Sequence, residues 1–164
     1  MRFSGSALAV AALLAVATRA HAQTTDTKTT LTLEGAKVIA AAAVAEAKKG
    51  NEGASIAVVD DGGNPMYLER LQPTFQMGAT ISTEKARTAA LFQKPTKILE
   101  DAIVAGRTPL LNAWSAPLNG GEPIVVKGQV IGAIGVSGAS SAARDAVLAL
   151  AGAGALGGKT SATK

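Results

Sequence analysis

Residues 117–138, PLNGGEPIVVKGQVIGAIGVSG, restrict the possible folds more than any other part of the chain. Ile124, Val125 and Val126 form a β-branched run. Lys127, Gly128 and Gln129 follow as a short loop containing glycine, and residues 130–136 resume the extended pattern. That order predicts a β-hairpin. Asn119, Gly120 and Gly121 make a turn ahead of Pro123, a residue that suits a strand start better than a strand middle. Hairpin connections pair strands antiparallel, which argues against a parallel, doubly wound sheet.

Gly132 and Gly135 lie inside the second strand, where glycine weakens pairing unless another backbone or a ligand comes close. The spacing Gly132-x-x-Gly135-x-x-Gly138 matches neither GxGxxG nor the GxxxxGK[ST] phosphate loop. Close packing of a helix over a glycine strand is the favoured reading. Backbone N–H groups near Gly138 offered to an anion are the other. Gly135-Val136-Ser137-Gly138 approaches a GxSxG nucleophile elbow, but its second glycine comes one place early and no histidine follows to activate the serine. That reading is rejected.

The first 22 residues carry the marks of a secretory signal: Arg2, an apolar run over 7–16 too short to span a bilayer, and Ala20-His21-Ala22 as a cleavage site. Cleavage after Ala22 leaves 142 residues, enough for one domain with a single core, and predicts an exported, periplasmic or secreted protein. The only histidine, His21, departs with that segment, and the chain has no cysteine. A Ser-His or Cys-His relay is therefore excluded from the mature chain, as is a zinc or iron–sulfur site built on His or Cys. Its formal charge is +2, from 14 basic and 12 acidic side chains. Basic pairs such as Lys48-Lys49 are not interleaved with aromatics, so no nucleic-acid footprint is expected.

Residues 23–30 are polar and Thr-rich, a disordered leader. Thr32 is a good N-cap, Glu34 lies in the first turn and Lys48-Lys49-Gly50 closes the helix, so charge order and capping both predict a helix from about 32 to 49. Leu33, Ala36, Ala40, Ala43, Val44 and Ala47 share its apolar face. Strands over 54–59 and 66–70 flank an Asp-Gly-Asn-Pro turn. A cation loop on Asp60, Asp61 and Asn64 is the sharper alternative there, without the acidic spacing of a calcium loop. Helices are expected over 80–92 and 96–105, an irregular stretch over 107–119 holding Trp114, and a last helix from Ser141 to about Ala151, capped by Ser140. Residues 157–164 read as a flexible tail. The order predicts an α+β fold: a single domain with an antiparallel β-sheet packed by α-helices.

Together with Lys85-Ala86-Arg87-Thr88-Ala89-Ala90-Leu91-Phe92 and the Pro95-Thr96 turn after it, the run over 117–138 resembles the GlcG/HbpS-like (DUF336-type) family of small bacterial haem-binding proteins. The resemblance covers residues 31–156. It implies an exported protein that binds haem or another tetrapyrrole, with roles in haem or iron uptake, sensing or handling, and an even-numbered homo-oligomer. Two departures stand out: Leu71-Gln72-Pro73-Thr74 where the pattern carries an acidic residue, and Arg144-Asp145-Ala146 in the last helix.

Seven residues are candidates for a ligand site. Lys85 and Thr88 belong to the matched helix pattern, which the resemblance places near ligand and subunit contacts; Lys85 could pair with a carboxylate or a haem propionate. Glu84 and Arg87 share a face of that helix. Met66, Tyr67 and Met77, the last near Phe75, are the remaining axial donors for iron. Met66 and Tyr67 are adjacent on a strand, so one is expected inward and the other outward. For each there is a plainer reading: core packing for Met66, Tyr67 and Met77, and a solvated helical face with a snorkelling Lys85. Two other functions compete with haem binding: an auxiliary protein or enzyme subunit that binds a small carboxylate through Lys85, Arg87 and Glu84, and a non-catalytic oligomeric interaction module.

Overall fold

The computed structural model describes residues 26–113 and 116–157. The proposed signal segment, Trp114 and nearly all of the expected tail lie outside the described residues. Residues 26–30 carry no regular structure, although Lys28 forms an ion pair with Asp61 and Thr29 N–H donates to Gln129 Oε1 at 3.4 Å.

Among the described residues, nine elements follow in chain order: α1 Leu33–Lys49, β1 Ala54–Asp60, β2 Pro65–Leu71, α2 Gly78–Phe92, α3 Thr96–Val104, a 3₁₀ turn Thr108–Asn112, β3 Gly121–Val126, β4 Gln129–Ser137 and α4 Ala142–Ala153. The sheet order is β2-β1-β4-β3, and every pair is antiparallel. This is the α+β single domain that the hairpin predicts.

Local sequence explains most boundaries. Thr32 Oγ1 accepts from Gly35 N–H at 3.1 Å and caps α1. The β3–β4 hairpin turns on two residues, Lys127 and Gly128, with φ of 51° and 80°. Positive φ at both central positions matches the right-handed twist of the flanking strands. Ser141, not Ser140, caps α4 by accepting from Arg144 N–H, while the Ser140 hydroxyl is held by Glu52. Pro123 is the third residue of β3 rather than its start. It is accommodated because β3 is an edge strand, where a missing N–H can be tolerated.

Alternation along the strands sorts side chains onto two faces. Ile56, Val58, Ile134 and Val136 point to the side covered by α1 and α4, where Ile39, Ala43 and Leu148 complete the main core. Burying each large aliphatic there contributes roughly 1.5–3 kcal/mol. In α1 the buried face includes Ile39, and Leu33 is half exposed instead, because Leu33 opens the helix beyond the edge of the core.

The opposite face is built from small residues. Val59 and Ala133 meet Ala86, Ala89 and Ala90 of α2. A Cβ at Gly135 would lie 2.0 Å from Ser82 O and 2.5 Å from Ala86 N. Gly135 thus serves close helix packing, the favoured reading of the glycine strand, whereas a Cβ at Gly132 would meet Val59 O of the neighbouring strand at 2.4 Å and the Leu31 side chain instead.

Candidate functional site

α2 carries four of the seven candidate residues, and its two sides are used differently. Lys85 is 3 % exposed. Its ammonium donates to Asp145 Oδ2 at 2.9 Å and to Val136 O at 2.8 Å. Asp145 Oδ1 in turn accepts from Ala139 N–H at 3.0 Å. Lys85 is therefore neither a snorkelling surface lysine nor a free ammonium for an incoming carboxylate. The Lys85–Asp145 pair passes beside Gly120, where a Cβ would sit 3.1 Å from Lys85 Nζ and 2.8 Å from Asp145 Cβ.

Thr88, also buried, donates to Glu84 O and accepts from Ala116 N–H, both at 2.8 Å. Thr96 does the same work at the head of α3, donating to Leu118 O at 2.6 Å and accepting from Gly121 N–H at 2.9 Å. The two threonines tie the segment over 116–118 to the helices. Glu84 and Arg87 form a half-exposed pair at 3.2 Å, and Arg87 Nε also donates to Gly63 O, bracing the β1–β2 turn. That turn is closed from within: the Asp60 carboxylate accepts from Asn64 N–H and its side-chain amide. Those bonds hold Asp60 below the usual carboxylate range against the opposing effect of its burial. The geometry is that of a turn, and among the described residues no group of three or more His, Cys, Asp or Glu could hold a metal ion.

Met66 and Tyr67 do not divide between inside and outside. Val58 faces Tyr67 and Val59 faces Pro65, so Met66 is the extra residue of a bulge. The lost alternation lets both side chains pack, partly buried, against the main core. Tyr67 also donates its hydroxyl to Glu69 Oε2 at 3.1 Å, a bond that raises the phenol above its ordinary value. Met77 is different. It stands at the cap position of α2, 56 % exposed, with Phe75 exposed beside it.

Open clefts on the surface of the described residues include two of similar size. One, about 440 Å³, is apolar and sits against α3, with Ile103, Val104, Leu111, Pro117 and Leu118 as walls and Glu100 at the rim. The other, about 430 Å³, is polar and lies between the loop after α1, Pro73 and residues 138–140. Its Glu52 is already committed to Arg144 at 2.7 Å and to Ser140. The hydrogen bond from Arg144 is the main reason that the Glu52 carboxyl titrates low.

A family model described as haem degrading protein HbpS-like matches residues 31–154. The chain belongs to the HbpS-like family. Protein GlcG of Escherichia coli strain K12 is 47% identical to this HbpS-like chain over 112 residues, 68% of this chain and 84% of GlcG. The crystal structure of HbpS superposes with a TM-score of 0.75 at 35% identity, covering 82% of this chain and 96% of HbpS. Klebsiella pneumoniae ORFY, a DUF336 protein, superposes with a TM-score of 0.74 at 30% identity, covering 86% and 97%. Residues that the sequence did not single out as site residues, such as Ser55, Thr74, Thr96 and Glu122, become visible only in three dimensions. Ser and Thr within a strand or a turn carry no periodic signal of their own.

Proposed function

We propose that this HbpS-like chain is an exported haem- or tetrapyrrole-binding protein acting in haem or iron handling as an even-numbered homo-oligomer. Support comes from the family match and from one feature of the geometry. Of the three sulfur or phenol donors among the described residues, Met77 alone is held in the open, beside the exposed ring of Phe75. Tyr67 is engaged with Glu69, and Met66 is packed on the core.

The donor set fits a haem held by one weak thioether ligand and by contact with an aromatic ring, not one held by imidazole or thiolate. Met77 would ligate the iron, and Phe75 would lie against the macrocycle. Haem supplies redox and dioxygen chemistry when bound. This chain would supply an open, weakly ligating face. Among the described residues no helix is long and apolar enough to cross a membrane.

Titration of hemin into residues 23–164, followed at the Soret band, tests the reading. A saturable, shifted band at about one haem per chain, lost or displaced in Met77→Ala, is the expected result. A featureless, non-saturating titration would overturn it. Light scattering at micromolar concentration should show an even-numbered assembly, and a stable monomer would remove that part of the proposal.

A further inference from the structure

α2 begins without a side-chain cap. Met77 occupies the cap position with helical φ and ψ, and no acidic residue lies in the first turn. Gly78 N–H donates to Phe75 O and Ile81 N–H to Met77 O. Ala79 and Thr80 N–H are left without a protein acceptor among the described residues. A 15-residue helix with open N–H groups presents partial positive charge at its head.

Side chains of other elements converge on the same place. Ser55, fully buried on the α2 side of β1, has no hydrogen-bond partner for its hydroxyl among the described residues. Its Oγ lies 2.8 Å from where a Cβ on Gly78 would stand, directly beneath the first turn. Thr74 Oγ1 is likewise buried and unpartnered, 3.3 Å from that same point and 2.2 Å from the Cβ position of Gly138. Glycine at both positions adds no side chain of its own beside these oxygens, and the Phe75 ring edge borders the same space, 3.3 Å from the Cβ position of Gly138. Buried hydroxyls in native proteins are rarely left without a partner, so two orphans together point to a group that satisfies them. Across the β1–β2 register from Ser55, and on the same face, stands Arg70. It is exposed and makes no ion pair among the described residues.

We infer that the head of α2 is a carboxylate-binding site. One carboxylate oxygen accepts from the Ala79 and Thr80 N–H groups, the other from the Thr74 hydroxyl with Ser55 beneath it, and Arg70 closes the rim with opposite charge. The site does not involve Lys85, whose ammonium is spent on Asp145. The inference does not rest on the haem reading, because a free small carboxylate and a tetrapyrrole propionate present the same chemistry.

The test is a titration of residues 23–164 with acetate at constant ionic strength, followed through the amide resonances of α2. Saturable shifts at Ala79 and Thr80 are expected, with affinity reduced about tenfold in Thr74→Val and in Arg70→Gln. Ser55→Ala should weaken acetate binding while leaving the ligand-free fold intact. Absence of saturable shifts at Ala79 and Thr80, or an affinity unchanged from that of the unsubstituted protein in Thr74→Val and Arg70→Gln, would overturn the site. Competition by hemin but not by its dimethyl ester would name a propionate as the source, and no competition by hemin would name a free carboxylate. Failure of hemin to bind would leave the acetate result untouched, so the two readings fail separately.

Discussion

Lys85 on α2 and Asp145 on α4 meet at 2.9 Å although their helices cover opposite faces of the sheet. The bond closes around the end of β4, where Lys85 also donates to Val136 O and Asp145 accepts from Ala139 N–H. It therefore ties together both helical layers and the strand between them. With both carboxylate oxygens of Asp145 engaged and the buried ammonium donating to two acceptors, the pair is a structural clasp rather than a ligand site.

Breaking one side of this clasp leaves a buried charge unpaired. Lys85→Met and Asp145→Leu should each cost about 3–5 kcal/mol, whereas the double substitution should recover most of that loss. Chemical denaturation of the four proteins measures it. Single-mutant losses below about 1 kcal/mol would show that the pair is not a clasp.

Glu122 offers a pH test. It stands on β3 opposite Ile134, on the core side of the sheet, 7 % exposed. Burial alone pushes its carboxyl up from 4.5 to about 7. Because the folded state holds the proton more tightly than the unfolded state, this contribution is complete below pH 4.5 and is lost as pH rises towards about 7. Stability should therefore fall by up to about 3 kcal/mol across that window, and Glu122→Gln should flatten the curve. Denaturation midpoints at several pH values decide it; identical slopes in both proteins would count against the assignment.

Gly135→Ala should be among the most damaging small substitutions in the chain. Its new methyl meets Ser82 O and Ala86 N, backbone atoms that cannot step aside without moving α2 off the sheet. A loss of about 3 kcal/mol or more is expected. At Gly128 a Cβ meets nothing within 4 Å, so Gly128→Ala bears only the strain of its positive φ, about 1 kcal/mol. Comparable melting temperatures for the two variants would refute the packing argument.

Thr88→Val keeps the shape of the side chain but removes the acceptor for Ala116 N–H. A cost of about 1–2 kcal/mol is expected, together with faster hydrogen exchange at Ala116 beside the apolar cleft. Unchanged exchange there would mean that the segment over 116–118 is held by Thr96 alone.

Much of this architecture follows from the sequence by itself, because the interactions responsible act over a few residues. Thr32 caps a helix three residues away, Lys127-Gly128 turns a hairpin onto its own neighbours, and β-branched runs read as strands wherever they pack. The sequence holds no cysteine and a single histidine, His21, and those counts restrict the chemistry open to the chain by residue type alone. The fates of the candidate residues were decided elsewhere. Lys85 looked like a lysine on an apolar stripe until Asp145, 60 residues away, was brought against it. Met66 and Tyr67 obeyed alternation on paper, and a bulge in β2 cancelled it. The bare head of α2 acquires meaning only where Ser55, Thr74 and Arg70 arrive from two strands and a loop. Burial and pairing are properties of the assembled sheet and its two helical layers, and no local propensity encodes which distant groups will share one low-dielectric space.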